Sequence, residues 1–327
     1  MSVDNALVSV IIPTYNRASL IRGAIESALA QTYPHKQIIV VDDGSIDDTA
    51  AIVRSYKDVQ YIYQPNGGQA AARNTGLRHA RGSYITSLDS DDVWDSRFLE
   101  TCVELLEKLE LDFVFANWDQ ERENGRVVDY FSEFPFIQPY LVNQPDMIRI
   151  FSYAELRSLF IECCPAPSSS FLIRHASLVS AWNEKMHIGD DWCLLLDIIL
   201  SKECKAALIR ERLWLKKINC NNIYDSRDFL EATRLLYVED GYEMLHRYAG
   251  RLTKEERRQF QARYNEYMIK TIKRDLRNRS DLRRIIRFLG HSILQNPVLL
   301  IKMLGEGLVR YTKRKQKERD ELRRIIR

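Results

Sequence analysis

Residues 66–94 read NGGQAAARNTGLRHARGSYITSLDSDDVW, and their order decides the fold. Asn66, Gly67 and Gly68 spell a turn, after which residues 69–80 carry small and apolar side chains at helical spacing. Residues 83–88 are a short β-rich run, and Asp89, Asp91 and Asp92 follow it directly. A glycine turn, a helix and a strand that ends in charge make half of a βαβ unit. The turn exposes N–H groups at the helix start, and Arg73, about one turn in, can approach an anion there. Three carboxylates within four residues repel one another unless a cation neutralises them. Mg2+ or Mn2+ is the natural remedy, held by one or two carboxylates and completed by the oxygens of a diphosphate. The plain alternative is a solvated turn that caps the helix near Ser96.

Moving outward, the first 120 residues alternate strand runs at 8–12, 37–41, 59–63, 83–88 and 112–116 with helical patterns at 18–31, 47–56, 69–80 and 96–109. This predicts an α/β fold with a mainly parallel sheet flanked by helices. Ligands of such sheets bind beyond the carboxyl ends of the strands, where the polar clusters fall. Ile11-Ile12-Pro13-Thr14-Tyr15-Asn16 ends the first strand with an aromatic ring able to stack on a base. Val40-Val41-Asp42-Asp43-Gly44-Ser45 ends the second with carboxylates able to accept from a base or ribose, or to cap the helix that follows. Residues 120–145 are irregular and aromatic, as in a loop or hairpin over the sheet; a helix is expected at 146–162, a strand at 171–174 and a helix at 192–201.

Taken together, VSVIIPTYNR, VVDDGSIDDT, the 66–94 stretch and IGDDWCLLL resemble the inverting family 2 glycosyltransferases of GT-A fold, over about residues 6–200. The resemblance implies that Pro13, Thr14, Tyr15, Asn16, Asp42, Asp43, Arg73 and Asp89 bind a nucleotide sugar, most often a UDP-sugar. It also implies that Asp91 or Asp92 carries the metal, with Asp89 or Asp91 near the ribose; the extra Asp permits both registers. Inverting transfer needs a base for the acceptor hydroxyl. The family's acidic pair before a Trp matches Asp190-Asp191-Trp192, which implies Asp191 as the base and Asp190 and Trp192 as acceptor-site residues. Read from spacing alone, the same pair is a helix N-cap.

His187 reads as a ligand or a structural residue, Lys216-Lys217 as a phosphate contact or a solvated pair, and Trp94, Trp182 and Trp192 as an acceptor wall or core. Six cysteines without a CxxC pair read as reduced thiols. No Walker A or GxGxxG pattern occurs, which argues against ATPase and dehydrogenase readings. A nucleotidyltransferase and an inactive interaction module are the rival readings; the first lacks its Gly-rich basic loop here.

The net charge of +3 hides a division: residues 1–250 carry 25 basic against 36 acidic side chains, and residues 251–327 carry 23 against 9. We therefore expect a catalytic domain at 1–225 and a basic helical extension at 226–327, with a capping box at Thr253 and Glu256. Residues 285–309 are apolar with helical spacing and residues 310–327 are basic, a pattern suited to an anionic membrane surface. The expected partners are a nucleotide-sugar donor, a glycan or lipid-linked glycan acceptor and such a surface, with no nucleic acid. The start of the chain lacks a basic and long apolar leader, so the expected location is cytoplasmic, peripheral on the inner membrane face.

Overall fold

The computed structural model describes residues 6–122, 124–142, 146–217 and 228–278. The strands are β1 (Val8–Thr14), β2 (Lys36–Asp42), β3 (Val59–Tyr63), β4 (Tyr84–Ser87), β5 (Asp92–Trp94), β6 (Phe113–Glu121), β7 (Val127–Asp129), β8 (Ile148–Ile150), β9 (Phe171–Arg174) and β10 (Ala206–Lys217). They form one sheet in the order β3-β2-β1-β4-β9-β6-β10-β5, with β7 on β6 and β8 on β10. From the pairings, β1, β2, β3, β4, β6 and β10 run one way and β5, β7, β8 and β9 the other. The expected mainly parallel sheet is therefore present, with antiparallel β9 wedged between β4 and β6.

Flanking it are α1 (Ile21–Leu29), α2 (Thr49–Arg54), α3 (Gln69–His79), α4 (Phe98–Lys108), the single turns α5 (Tyr130–Glu133) and α6 (Gln138–Leu141), then α7 (Tyr153–Glu162), α8 (Asp190–Ile199), α9 (Phe229–Arg234), α10 (Asp240–Arg247) and α11 (Lys254–Asn278). In α1 and α4 the buried side are apolar stripes, Ile21, Ala24, Ile25 and Ala28 in one, Phe98, Leu99, Cys102, Val103 and Leu106 in the other. Helix α3 differs: Arg73, Asn74 and Thr75 are buried beside Ala70, Ala72 and Gly76, so its inner face is partly polar. A helix buries such a face only where partners wait for it.

Beneath β6 the core is aromatic, with Phe160 edge-on to Phe113 and Phe115 at 5.9 and 5.8 Å. The expected helix at 146–162 is shorter. Ile148–Ile150 forms β8 against Ala207, Leu208 and Ile209, and a capping box between Ser152 and Glu155 starts α7 only afterwards. Thr253 and Glu256 form the capping box expected of them, at 2.7 and 3.2 Å. Phe260, Tyr264, Met268 and Ile272 of α11 are buried in the same core as the sheet. The five described cysteines are free. Among the described residues no helix is long and apolar enough to cross a membrane, and the apolar and basic runs at 285–327 lie outside them.

Candidate active site

The carboxyl ends of the co-directional strands meet along one edge of the sheet, and each motif sits there. Pro13 and Thr14 close β1 beside Val41 and Asp42 of β2. The Thr14 hydroxyl is buried and has no hydrogen-bond partner among the described residues, and Tyr15 next to it is 46% exposed. Asn16, at φ +52°, stitches this loop to the next: its N–H donates to Ser45 Oγ at 2.8 Å and its Oδ1 accepts from Ile46 N–H at 2.9 Å. Gly44, at φ +86°, makes the turn between them in a region that favours glycine.

The two aspartates of β2 divide. Asp42 is enclosed and accepts from Ser45 N–H and from the Tyr61 hydroxyl, both at 2.8 Å. Burial, followed by that carboxylate, pushes the Tyr61 phenol up to about 12. Asp42 therefore shapes the loop from within. Asp43 grips the glycine turn, accepting from Gln64 Nε2 at 2.7 Å, Gly67 N–H at 2.9 Å and Gly68 N–H at 2.8 Å. One carboxylate so fixes the entry to α3.

Arg73 is what the polar face of α3 serves. It is 1% exposed, and its guanidinium meets Asp89 at 2.6 Å, Asp190 in a short ion pair, Asp191 at 3.4 Å and Ser87 Oγ at 3.3 Å. Burial alone would depress the guanidinium, but the charges of Asp190, Asp191 and Asp89 outweigh it and hold Arg73 charged. Its donors thus meet the side chains of Asp89, Asp190, Asp191 and Ser87. Asp190 is equally enclosed: it takes Arg73 and, at 2.8 Å, Gln69 Nε2. Burial raises its carboxyl to about 7 against the pull of Arg73. Asp190, expected at the acceptor site, is a partner of Arg73 and Gln69 in this cluster.

Asp191 stands beside it with a 13% exposed side chain. Its Oδ2 accepts from Ser168 N–H at 3.0 Å, and its Oδ1 from Ser168 Oγ and from Trp182 Nε1 at 3.2 Å. Ser168, Ser169 and Ser170 form a 3-10 turn and all three are fully buried. Ser169 serves the other acidic group, donating from its hydroxyl to Asp92 at 2.6 Å and, from its carbonyl, accepting the Trp94 indole N–H at 2.7 Å. The serine turn therefore touches both acidic clusters. The sequence showed the PAPSSS stretch before a strand but gave no sign that it would face carboxylates.

Asp92 is buried on β5, opposite Lys216 of β10. Burial and the charges of Asp89 and Asp91 push its carboxyl well above the usual range, against Lys216 and Ser169. Three carboxylates thus crowd this segment, with Arg73 on Asp89 and Lys216 facing Asp92. Among the described residues no three His, Cys, Asp or Glu side chains converge as a ready-made metal cage. Hard oxygen donors with excess negative charge nonetheless fit a divalent cation that completes its shell from a ligand. His187 is held by Asp240 at 2.9 Å. Trp192 is 1% exposed, donates to Phe160 carbonyl at 2.6 Å and stacks on Phe260 at 5.6 Å, and so packs in the core.

The glycosyltransferase RP339 of Rickettsia prowazekii (strain Madrid E) is 46% identical over 110 residues, 33% of this chain and 35% of that one. The UDP-Glc:alpha-D-GlcNAc-diphosphoundecaprenol beta-1,3-glucosyltransferase WfgD of Escherichia coli is 37% identical over 128 residues, 38% of this chain and 51% of its own. The chain thus spans only about a third to a half of these relatives. Among solved structures, S. aureus TarS 1-349 in complex with UDP-GlcNAc superposes with a TM-score of 0.63 at 20% identity, over 88% of this chain and 80% of that one. Mannosyltransferase PcManGT from Pyrobaculum calidifontis, in complex with GDP-Man and Mn2+, gives 0.59 at 18% identity, over 93% of this chain and 80% of its own. At these identities the likeness shows the shared fold, the GT-A arrangement expected from the sequence. Residues 9–179, more than half of the 327, match the family described as glycosyl transferase family 2, and the chain belongs to that family.

Proposed function

We propose that the protein transfers a sugar from a nucleotide-diphosphate sugar, a UDP-sugar, to a hydroxyl of a glycan or lipid-linked glycan, with inversion and with Mn2+ or Mg2+ bound. One observation carries the reading: Arg73 gathers Asp89, at the end of β4, and Asp190 and Asp191, at the start of α8, into one cluster at the strand ends. Buried charge of this kind is costly and rarely kept for stability alone. The UDP-glucose donor of WfgD and the UDP-GlcNAc held by TarS support a uridine donor, and the diphosphoundecaprenol acceptor of WfgD supports a lipid-linked acceptor.

Asp91 and Asp92 would hold the metal ion, and PcManGT, solved with Mn2+, supports its use. When bound, such an ion supplies positive charge to the departing diphosphate. Thr14, Tyr15, Asn16 and Asp43 line the strand ends at which the nucleoside would sit. Asp191 takes the proton of the acceptor hydroxyl as that oxygen bonds to the anomeric carbon; the bond from this carbon to the diphosphate breaks and the nucleotide leaves with the electron pair. Ser168 and Trp182 hold Asp191 in one orientation for that step, and Arg73 fixes its distance from Asp89. The apolar and basic sequence at 285–327 supports docking to the inner membrane face, where lipid-linked acceptors are met.

A thermal-shift screen against UDP-, GDP- and dTDP-sugars with Mn2+ tests the donor class. A rise in melting temperature with UDP-sugars is expected, and no response to any nucleotide would overturn the reading. Co-sedimentation with anionic liposomes at low salt tests the docking.

A further inference from the structure

We propose that Asp240 is a positioning residue for transfer, setting where Asp191 stands by gripping the turn that enters α8; this rests on the reading of Asp191 as the base. Asp240 is 1% exposed and lies on α10, fifty residues beyond Asp190 and outside the segment that matches the family. Its carboxylate collects four donors: His187 N–H at 2.8 Å, His187 Nδ1 at 2.9 Å, Ile188 N–H at 2.9 Å and Gly189 N–H at 2.8 Å. Three successive backbone N–H groups converging on one anion form a nest, a concavity that a neutral side chain fills poorly.

The need for it lies in α8. Gly189 is the N-cap of that helix and supplies no side-chain cap, and the acidic side chains of its first turn, Asp190 and Asp191, are engaged by Gln69, Arg73, Ser168 and Trp182. Asp240, from a neighbouring helix, holds the three backbone N–H groups that lead into α8. A side chain at Gly189 would press on Asp240 Oδ2 at 3.2 Å and on Met244 Cε at 3.1 Å, so the turn and α10 are in close register. The same face of α10 continues the grip: Tyr248, its C-cap, donates its hydroxyl to Cys193 carbonyl at 2.9 Å, and Arg247 pairs with Asp197 at 2.6 and 3.0 Å. A π turn, Leu235–Glu239, immediately precedes Asp240 and sets the register of that face. Helix α10 is thus a splint along α8, fastened most firmly two residues before Asp191, where a small displacement moves the base.

The test uses the full chain with Asp240→Asn, read in two ways. Without any substrate, amide exchange at Ile188 and Gly189 should accelerate at least ~10-fold, while exchange in β1 and β2 stays as in the wild type. With Mn2+ and whichever of UDP-glucose or UDP-GlcNAc the wild type consumes, kcat for UDP release should fall ~10-fold or more at unchanged donor KM, with no further fall when Asp191→Asn is already present. Gly189→Ala, which pushes on the same contact from the other side, should reproduce the kcat loss. Unchanged exchange, unchanged kcat, or an additive loss in the Asp191→Asn background overturns the proposal. Failure of the underlying reading looks different: the wild type then binds no nucleotide while exchange still accelerates in Asp240→Asn.

Discussion

The Arg73 guanidinium stands 2.6 Å from the carboxylate of Asp89, and its other amino group reaches Asp190 in a contact 117 positions along the chain. A single buried cation thus ties the carboxyl end of β4 to the amino end of α8. Arg73→Met should destabilise the protein by about 3–5 kcal/mol in urea unfolding, because it strands Asp190 without a counter-charge. Adding Asp190→Asn should recover part of the loss. If the double variant is no more stable than the single one, the Arg73 pair is not the source of the cost.

Trp192 bears on how the acceptor side is built. Trp192→Phe leaves the Phe160 carbonyl without its donor and should cost about 1–3 kcal/mol in stability. Acceptor and donor KM should not change. A changed acceptor KM at unaltered stability would return Trp192 to the acceptor wall.

His187 gives a pH signature. Its hydrogen bond to Asp240 raises the imidazole above its ordinary 6.5, with burial opposing. A raised cation contributes stability that is complete below the unfolded value, about 6.5, and is lost as pH rises through the higher folded value. The melting-temperature advantage of the wild type over His187→Gln should therefore be greatest in mild acid and fade in mild alkali. An advantage constant across that range would mean that the ring is neutral throughout.

On the proposed metal role, Asp92 should trade stability for ligand binding. Its buried carboxyl is crowded by Asp89 and Asp91, so Asp92→Asn should raise the melting temperature in chelator. The same change should remove the extra stabilisation that UDP and Mn2+ give the wild type. A variant still stabilised by Mn2+ and UDP to the wild-type extent would take Asp92 out of the metal site.

Much of this was legible in the sequence, and what was not has physical causes. Turn, helix and strand signals are local, so β1 to β4 and the acidic strand ends could be read directly. Strand β10 was not, because Arg210, Glu211 and Arg212 interrupt its alternation where the pairing with β6 shifts register. Strand β5 is three residues long and lies inside what reads as a metal motif. The inward turn of Asp42, Arg73 and Asp190 depends on contacts with distant partners, to which spacing is blind. Ser168, Ser169 and Asp240 were missed for the same reason: each serves a carboxylate or a turn that lies elsewhere in the sequence.

The most direct test of the central claim compares UDP release by the wild type and Asp191→Asn, with Mn2+ and the preferred UDP-sugar, alongside calorimetric titration of UDP. The account expects UDP affinity to be unchanged and turnover to fall by ~10²–10⁴-fold. Turnover retained in Asp191→Asn, at wild-type UDP affinity, would contradict it.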